Sequence, residues 1–221
     1  MTAAGQNGIP TAFVVGKDSR IAWIGHPMDP EFPKTLDSLL DGTFDAVAAK
    51  ATAQRKAEAA GAMQKAMATV TAAYKKGDDA TADAAMKSLV AGYPDTAGMV
   101  LNIRFNRALE KGNETGAHTV LREGWSAADL DAEDLNNFAW ALVTDKRIKN
   151  RDYPLAIAIA TRGVELSEEK NAPIIDTLAY ALFYGGKVDE AIAWEQKAVD
   201  LTGGKDQAMV DALTQYKKAK G

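Results

Sequence analysis

The chain has 221 residues, with 26 Lys and Arg against 30 Asp and Glu, and it contains no cysteine. The lack of cysteine excludes disulfides, thiolate metal ligands and cysteine nucleophiles. The net charge of −4, without a basic stripe, argues against a nucleic-acid surface. No run of the sequence approaches the ~20 apolar residues that cross a bilayer. Alanine, the best helix former, dominates the apolar residues, so we expect a mainly α-helical protein. From the charge and the hydropathy we expect it to bind neither nucleic acid nor membrane.

Two β-rich runs open the chain. AFVV (12–15) and IAWIG (21–25), joined by the turn-forming GKDSR, predict a β-hairpin. An isolated two-stranded hairpin is marginal in water and leaves its edges unpaired. The apolar side chains that need a cover are Phe13, Val15, Ile21 and Trp23. We expect the hairpin to pack on a helix or to pair with the hairpin of a second chain, which would give a homodimer.

Helical patterns follow the hairpin. TLDSLL (35–40) predicts a short amphipathic helix, which completes a first region at 1–43. Residues 44–76 are rich in Ala, Lys, Gln and Glu and contain no proline, so they predict a long connecting helix. Gly61 leaves open whether this is one helix or two.

A repeat runs through the rest of the chain. Small residues recur at spacings of 35, 39 and 35 residues, at Ala82, Ala117, Ala156 and Ala191. A turn glycine lies five residues before three of them, at Gly77, Gly112 and Gly186. The third unit has RIKNRDYP at this place, which predicts a longer loop. The period indicates stacked pairs of helices.

The last unit, DTLAYALFYGGKVDEAIAWEQKAVDL, is the clearest, and its pattern resembles the tetratricopeptide repeat (TPR). The resemblance covers about residues 62–201, and DQAMVDALTQYKKAK (206–220) would be a capping helix. It implies a TPR-like helical-repeat array over 62–221, in which the first helix of each pair lines an inner groove that binds a peptide or a protein.

Candidate binding residues follow from aligning the first helices, in pairs spaced i, i+4 that share one helix face. They are Asn102, Asn106, Asn136, Trp140, Asp176 and Tyr180. Asparagine can donate to and accept from a peptide backbone, and Trp and Tyr offer apolar area with a polar tip. The basic members of the carboxylate clamp that some TPR domains use are not matched. We expect a peptide or protein partner, no cofactor and no metal.

The N-terminal stretch GIPTAFVV also resembles a known family. Gly8, Ile9, Pro10 and Thr11, followed by two strands and a helix, resemble the C-terminal half of a thioredoxin-like domain of the TlpA/ResA type. The half of that fold that carries the CxxC dithiol is missing. The resemblance implies a truncated thioredoxin-like protein, from a family commonly exported in bacteria. MTAAGQNGIP has no signal-peptide pattern, so localisation is not predicted.

We therefore expect a protein- or peptide-binding TPR scaffold without redox activity, because thiol exchange needs a thiolate. A promiscuous hydrolase, with a pocket in the helical array or at a dimer interface, is the rival hypothesis, and a purely structural fragment is a third. His26 and His118 lie far apart without metal-ligand spacing, and no nucleophile elbow or phosphate-binding loop is present. The sequence thus favours a protein that is not an enzyme.

Overall fold

A computed structural model describes residues 10–17, 19–29 and 31–220, so Gly8 and Ile9 of the predicted turn lie outside the described residues. The chain divides into two compact units, and the division falls between Asp79 and Ala80. The fold is mainly α-helical, with a small two-stranded sheet near the N-terminus and a TPR-like array later in the chain. The predicted fold class is confirmed.

The first unit begins with the predicted hairpin. Strand β1 (Ala12–Val15) pairs antiparallel with β2 (Ile21–Gly25). The register is irregular between Val14 and Val15, so the two residues do not follow the simple alternation of an even ladder.

This register decides which side of the hairpin is covered. Val14 is buried, and the ring of Trp23 lies 5.1 Å from the ring of Phe32. Phe13, Val15 and Ile21 remain 48%, 58% and 57% exposed. Within one chain, only the side that carries Val14 and Trp23 faces the helix that carries Phe32, so the expected cover for these three side chains would have to come from a second chain.

Two helices complete the first unit. Helix α1 (Glu31–Asp41) begins before the predicted start at residue 35. Its first turn can include Pro33, because helices tolerate proline near their start. Helix α2 (Ala46–Lys75) is one unbroken helix through Gly61. Asp45 caps it by accepting hydrogen bonds from the backbone N–H groups of Val47 and Ala48. Strand β2 contacts both helices.

The second unit consists of antiparallel helix pairs. Its helices are α3 (Asp79–Gly92), α4 (Ala97–Glu110), α5 (Glu114–Gly124), α6 (Ala132–Thr144), α7 (Tyr153–Leu166), α8 (Ala172–Tyr184), α9 (Val188–Leu201) and α10 (Gln207–Lys220), with a 3-10 turn Pro94–Thr96 before α4. Helix α4 packs on α5, α6 on α7 and α8 on α9, and α7 also packs on α8. Helix α10 packs on α9. The first predicted pair falls across the division between the units.

Small residues allow these helices to approach closely. The four repeat alanines, Ala82, Ala117, Ala156 and Ala191, have no exposed surface. A side chain at Gly163 would place its Cβ 3.2 Å from Cγ2 of Ile174 on the next helix. Glycines with positive φ of 72°, 67° and 85° form the predicted turns at Gly77, Gly112 and Gly186. The repeat pattern in the sequence thus corresponds to a packing pattern.

The third pair has the longer loop that the sequence predicts, since α6 ends at Thr144 and α7 begins at Tyr153. Ile148 inserts into the core from this loop. The guanidinium of Arg151 donates to the backbone carbonyls of Leu142 and Asp145, at 3.2 and 3.0 Å. These contacts hold the loop against the end of α6.

Candidate peptide-binding face

The first helices of the second unit, α4, α6 and α8, carry all six candidate residues. The rings of Phe105 on α4 and Phe138 on α6 meet edge to face with centroids 6.0 Å apart. Helix α6 also contacts α8 directly. The three helices therefore follow one another in space, and the candidate residues lie on neighbouring elements. We call the surface that these residues form the first-helix face.

The two asparagines on α4 are already hydrogen-bonded. The Nδ2 of Asn106 donates to the Oδ1 of Asn102 at 2.7 Å. A guanidinium nitrogen of Arg147 donates to the Oδ1 of Asn106 at 3.0 Å and also pairs with Asp145 at 2.6 Å. These asparagines are thus less available to a peptide backbone than the sequence suggests. Sequence reasoning missed Arg147, because it comes from the long loop and not from a first helix.

Asn136 on α6 has a side-chain acceptor to which no described residue donates. Its Oδ1 atom is buried, and no described residue donates a hydrogen bond to it. The side chain as a whole is half-buried on the same helix face as Trp140. An unsatisfied buried acceptor of this kind costs about 1–3 kcal/mol.

Three aromatic rings form a strip on α6 and α8. The rings of Trp140 and Tyr180 have centroids 5.4 Å apart, and those of Tyr180 and Tyr184 are 4.5 Å apart. Trp140 is 42% exposed and Tyr184 is 45% exposed, with Tyr180 half-buried between them. Tyr184 was not among the candidates, although its i+4 spacing from Tyr180 could have indicated it. We call Trp140, Tyr180 and Tyr184 the aromatic strip.

Next to the strip lies a pair of carboxyl groups. Asp176, one turn before Tyr180 on α8, is half-buried, whereas Glu195 on α9 has no exposed surface. Neither carboxyl oxygen of Glu195 receives a hydrogen bond from any described donor. Burial, together with the nearby Asp176 and Asp206, raises the pKa of Glu195 to about 8. Burial also raises the pKa of Asp176.

We call Asp176 and Glu195 the carboxyl pair. The raised pKa of Glu195 determines the protonation state of that residue near neutral pH. With a pKa of about 8, the buried Glu195 keeps its proton near neutral pH, and Asp176 lies close to it. Sequence reasoning missed Glu195, since glutamate side chains are usually exposed on the protein surface. Its position four residues after the buried Ala191 was the available signal, because i and i+4 share a helix face.

The C-terminal helix α10 helps to enclose this region. Tyr216 on α10 is 1% exposed, and its ring stacks on Phe183 with centroids 4.1 Å apart. Burial raises the pKa of Tyr216, and the charges of Glu195 and Asp176 act in the same direction. Asp206 caps α10 by accepting from the backbone N–H of Met209 at 3.3 Å. Helix α10 therefore belongs to the surroundings of the carboxyl pair.

Other kinds of site find little support in the described part of the chain. Within it, no group of three or more His, Asp and Glu side chains is arranged to hold a metal ion. None of its helices is both long and apolar enough to span a bilayer. A pocket of about 370 Å³ lies among Trp125, Asp129, Arg162 and Leu166, and it includes none of the six candidate residues.

Comparisons with known proteins leave the family open. No family model matches the chain, and no curated protein matches it. Among solved structures, it is similar to the NMR structure of the second TPR domain of the human RPAP3 protein, in complex with the HSP70 peptide SGPTIEEVD. The sequences are 21% identical, the TM-score is 0.43, and the match covers 56% of this chain and 98% of that one. The likeness is too distant to carry conclusions, and the TPR-like description follows from the helix pairs themselves.

Proposed function

We propose that the chain binds an extended peptide segment along the first-helix face. The observation that carries the proposal is the aromatic strip, where Trp140 and Tyr184 stay nearly half exposed beside a well-buried core. Aromatic side chains with one covered and one open face are the residues that most often dominate binding energy in interfaces.

Fluorescence polarisation tests this proposal. The probe is a fluorescein-labelled degenerate nonapeptide whose central residue is norleucine and whose other positions vary among uncharged residues. Trp140→Ala and Tyr184→Ala should each weaken binding about tenfold, as expected for the loss of a hot-spot ring. Trp194→Ala is the matched control, because Trp194 lies on a second helix beside Lys197. Equal affinity of all the variants would refute binding at the aromatic strip.

The rival hydrolase would need an acid or base that water and substrate can reach. Glu195, the carboxyl group whose pKa is raised to about 8, has no exposed surface. It therefore offers no support for general acid or base catalysis, which requires hydrogen-bond reach to a substrate. We do not extend the proposal to an enzyme.

We also propose that the hairpin is a surface for association between copies of this chain. Phe13, Val15 and Ile21 form exposed apolar area on a sheet whose strands have open edges. Light scattering should show a dimer for the wild type and a monomer after Val15→Lys. The control is Arg20→Ser in the turn, which should leave the dimer intact. Val14→Lys is not a suitable control, because a lysine in place of the buried Val14 would disrupt folding. A monomeric wild type would refute this association.

The thioredoxin-like origin of the hairpin remains a proposal. Its support is the order of a strand pair followed by a helix behind Pro10 and Thr11. The gene sequence provides the test. A CxxC-encoding half-domain in frame before Met1 would support the origin, and another sequence there would remove it.

A further inference from the structure

We propose that the carboxyl pair and the ring of Tyr180 form a subsite for a lysine or arginine side chain of the bound peptide. This inference rests on the proposed peptide binding and specifies the chemistry of one position of the ligand. The starting observation is Glu195, which is wholly buried, has no described hydrogen-bond donor and lies close enough to Asp176 for the two carboxyl groups to interact electrostatically. Natural proteins rarely leave such a group unpaired without a functional reason.

The charges around the pair select a cation. The groups that act on Asp176 and Glu195 are each other and Asp206, all of them acidic. Among the described residues, no Lys or Arg forms an ion pair with either member of the pair. The cation that acts on Tyr180 is Arg151, whose guanidinium already donates to two backbone carbonyls. A ligand cation would therefore supply the missing positive charge.

The exposure of the two carboxyls gives a direction of approach. Glu195 has no exposed surface, whereas Asp176 is only half-buried, so a ligand reaches the pair through Asp176. Asp176 is the group that would contact the cation.

The aromatic strip suits the rest of such a side chain. Tyr180 follows Asp176 by four residues on the same helix face, and Trp140 lies 5.4 Å from it. Lysine and arginine carry apolar stems that pack on aromatic rings, and their charged ends are attracted to ring faces. An acidic side chain would gain neither contact and would be repelled by Asp176. The site thus favours the opposite charge from a carboxylate clamp.

The experiment compares three labelled nonapeptide libraries that are identical except at the central residue, which is lysine, norleucine or glutamate. The lysine library should bind about fivefold tighter than the norleucine library, as expected for one partly buried ion pair. The glutamate library should bind more weakly than both. Asp176→Asn should reduce the lysine preference to less than about twofold. Asp211→Asn, an exposed aspartate on α10, is the matched control and should preserve it.

A measurement on the wild type makes the test independent of whether Asp176→Asn folds. Raising NaCl from about 50 to about 500 mM should shrink the lysine preference severalfold, while binding of the norleucine library changes little. Binding of the norleucine library without any lysine preference, or a preference that survives Asp176→Asn, overturns the cation subsite alone. Failure of all three libraries to bind overturns the proposed function and the subsite together.

Discussion

Replacing Glu195 by glutamine should stabilise the protein at neutral pH and have little effect in acid. Glutamine has nearly the same shape as the protonated glutamic acid and also carries a hydrogen-bond donor. It removes only the ionisation of a carboxyl group that is wholly buried. The substitution therefore isolates the cost of keeping that group protonated.

The magnitude follows from the two pKa values of Glu195. The pKa is about 8 in the folded protein, against an ordinary value of 4.5. The folded state therefore binds a proton that the unfolded state releases over this pH range, so the stability of the wild type falls as the pH rises from 4.5 to 8. With 1.36 kcal/mol for each pKa unit, the wild type at pH 7 is less stable by about 3 kcal/mol than a variant without this ionisation.

Urea unfolding at several pH values, followed by far-UV circular dichroism, measures this difference directly. Glu195→Gln should match the wild type near pH 4.5 and exceed its unfolding free energy by about 3 kcal/mol at pH 7. Titrating groups outside the carboxyl pair affect both proteins nearly equally and cancel in the difference. Glu190→Gln, an exposed glutamate on the same helix, should change stability by less than about 0.5 kcal/mol. A difference between Glu195→Gln and the wild type that does not vary with pH would refute the reasoning.

Three further substitutions test the packing and the turns. Ala191→Leu should lower the urea-unfolding free energy by about 1–3 kcal/mol, since Ala191 has no exposed surface; unchanged stability would contradict close helix packing. Glu168→Gly should raise it by about 1 kcal/mol, because Glu168 has φ of 51° in the left-handed region that favours glycine. Gly186→Ala, at φ of 85°, should lower it by about 1 kcal/mol, and thermal unfolding that shows no loss would argue against a strained turn.

The repeat could be predicted because its signals are local. A small residue at a fixed spacing indicates where helices cross, and Ala117, Ala156 and Ala191 are indeed fully buried. Glycine indicates a left-handed turn, as at Gly112 and Gly186. Both signals depend only on the type of residue and its position within the period, so one sequence is enough to show them.

The loop after α7 shows where this kind of prediction stops. Glu168 and Glu169 adopt positive φ of 51° and 55°, although neither is a glycine. One period of 35 residues later, Gly203 and Gly204 adopt the same conformation, at 61° and 68°. The backbone repeats where the residue type does not, because the packing of the flanking helices fixes the turn.

The site was predicted only in part, because its details depend on long-range contacts. Trp140 and Tyr180 do meet, as their aligned positions suggest. The hydrogen bond from Arg147 to Asn106 joins residues 41 apart in the chain, so no local pattern indicates it. The burial of Glu195 contradicts the usual exposure of glutamate and arises only when α8, α9 and α10 are packed together.

The packing of each helix mainly on its sequence neighbours has a consequence for how the second unit opens. Where contacts are local, segments can unfold without breaking every other contact, and the terminal segments open most easily. Amide hydrogens in α7 and α8, which pack on helices on both sides, should therefore exchange with deuterium most slowly. Those of α10, which has a single main neighbour, should exchange sooner, so the chain would lose structure progressively rather than all at once.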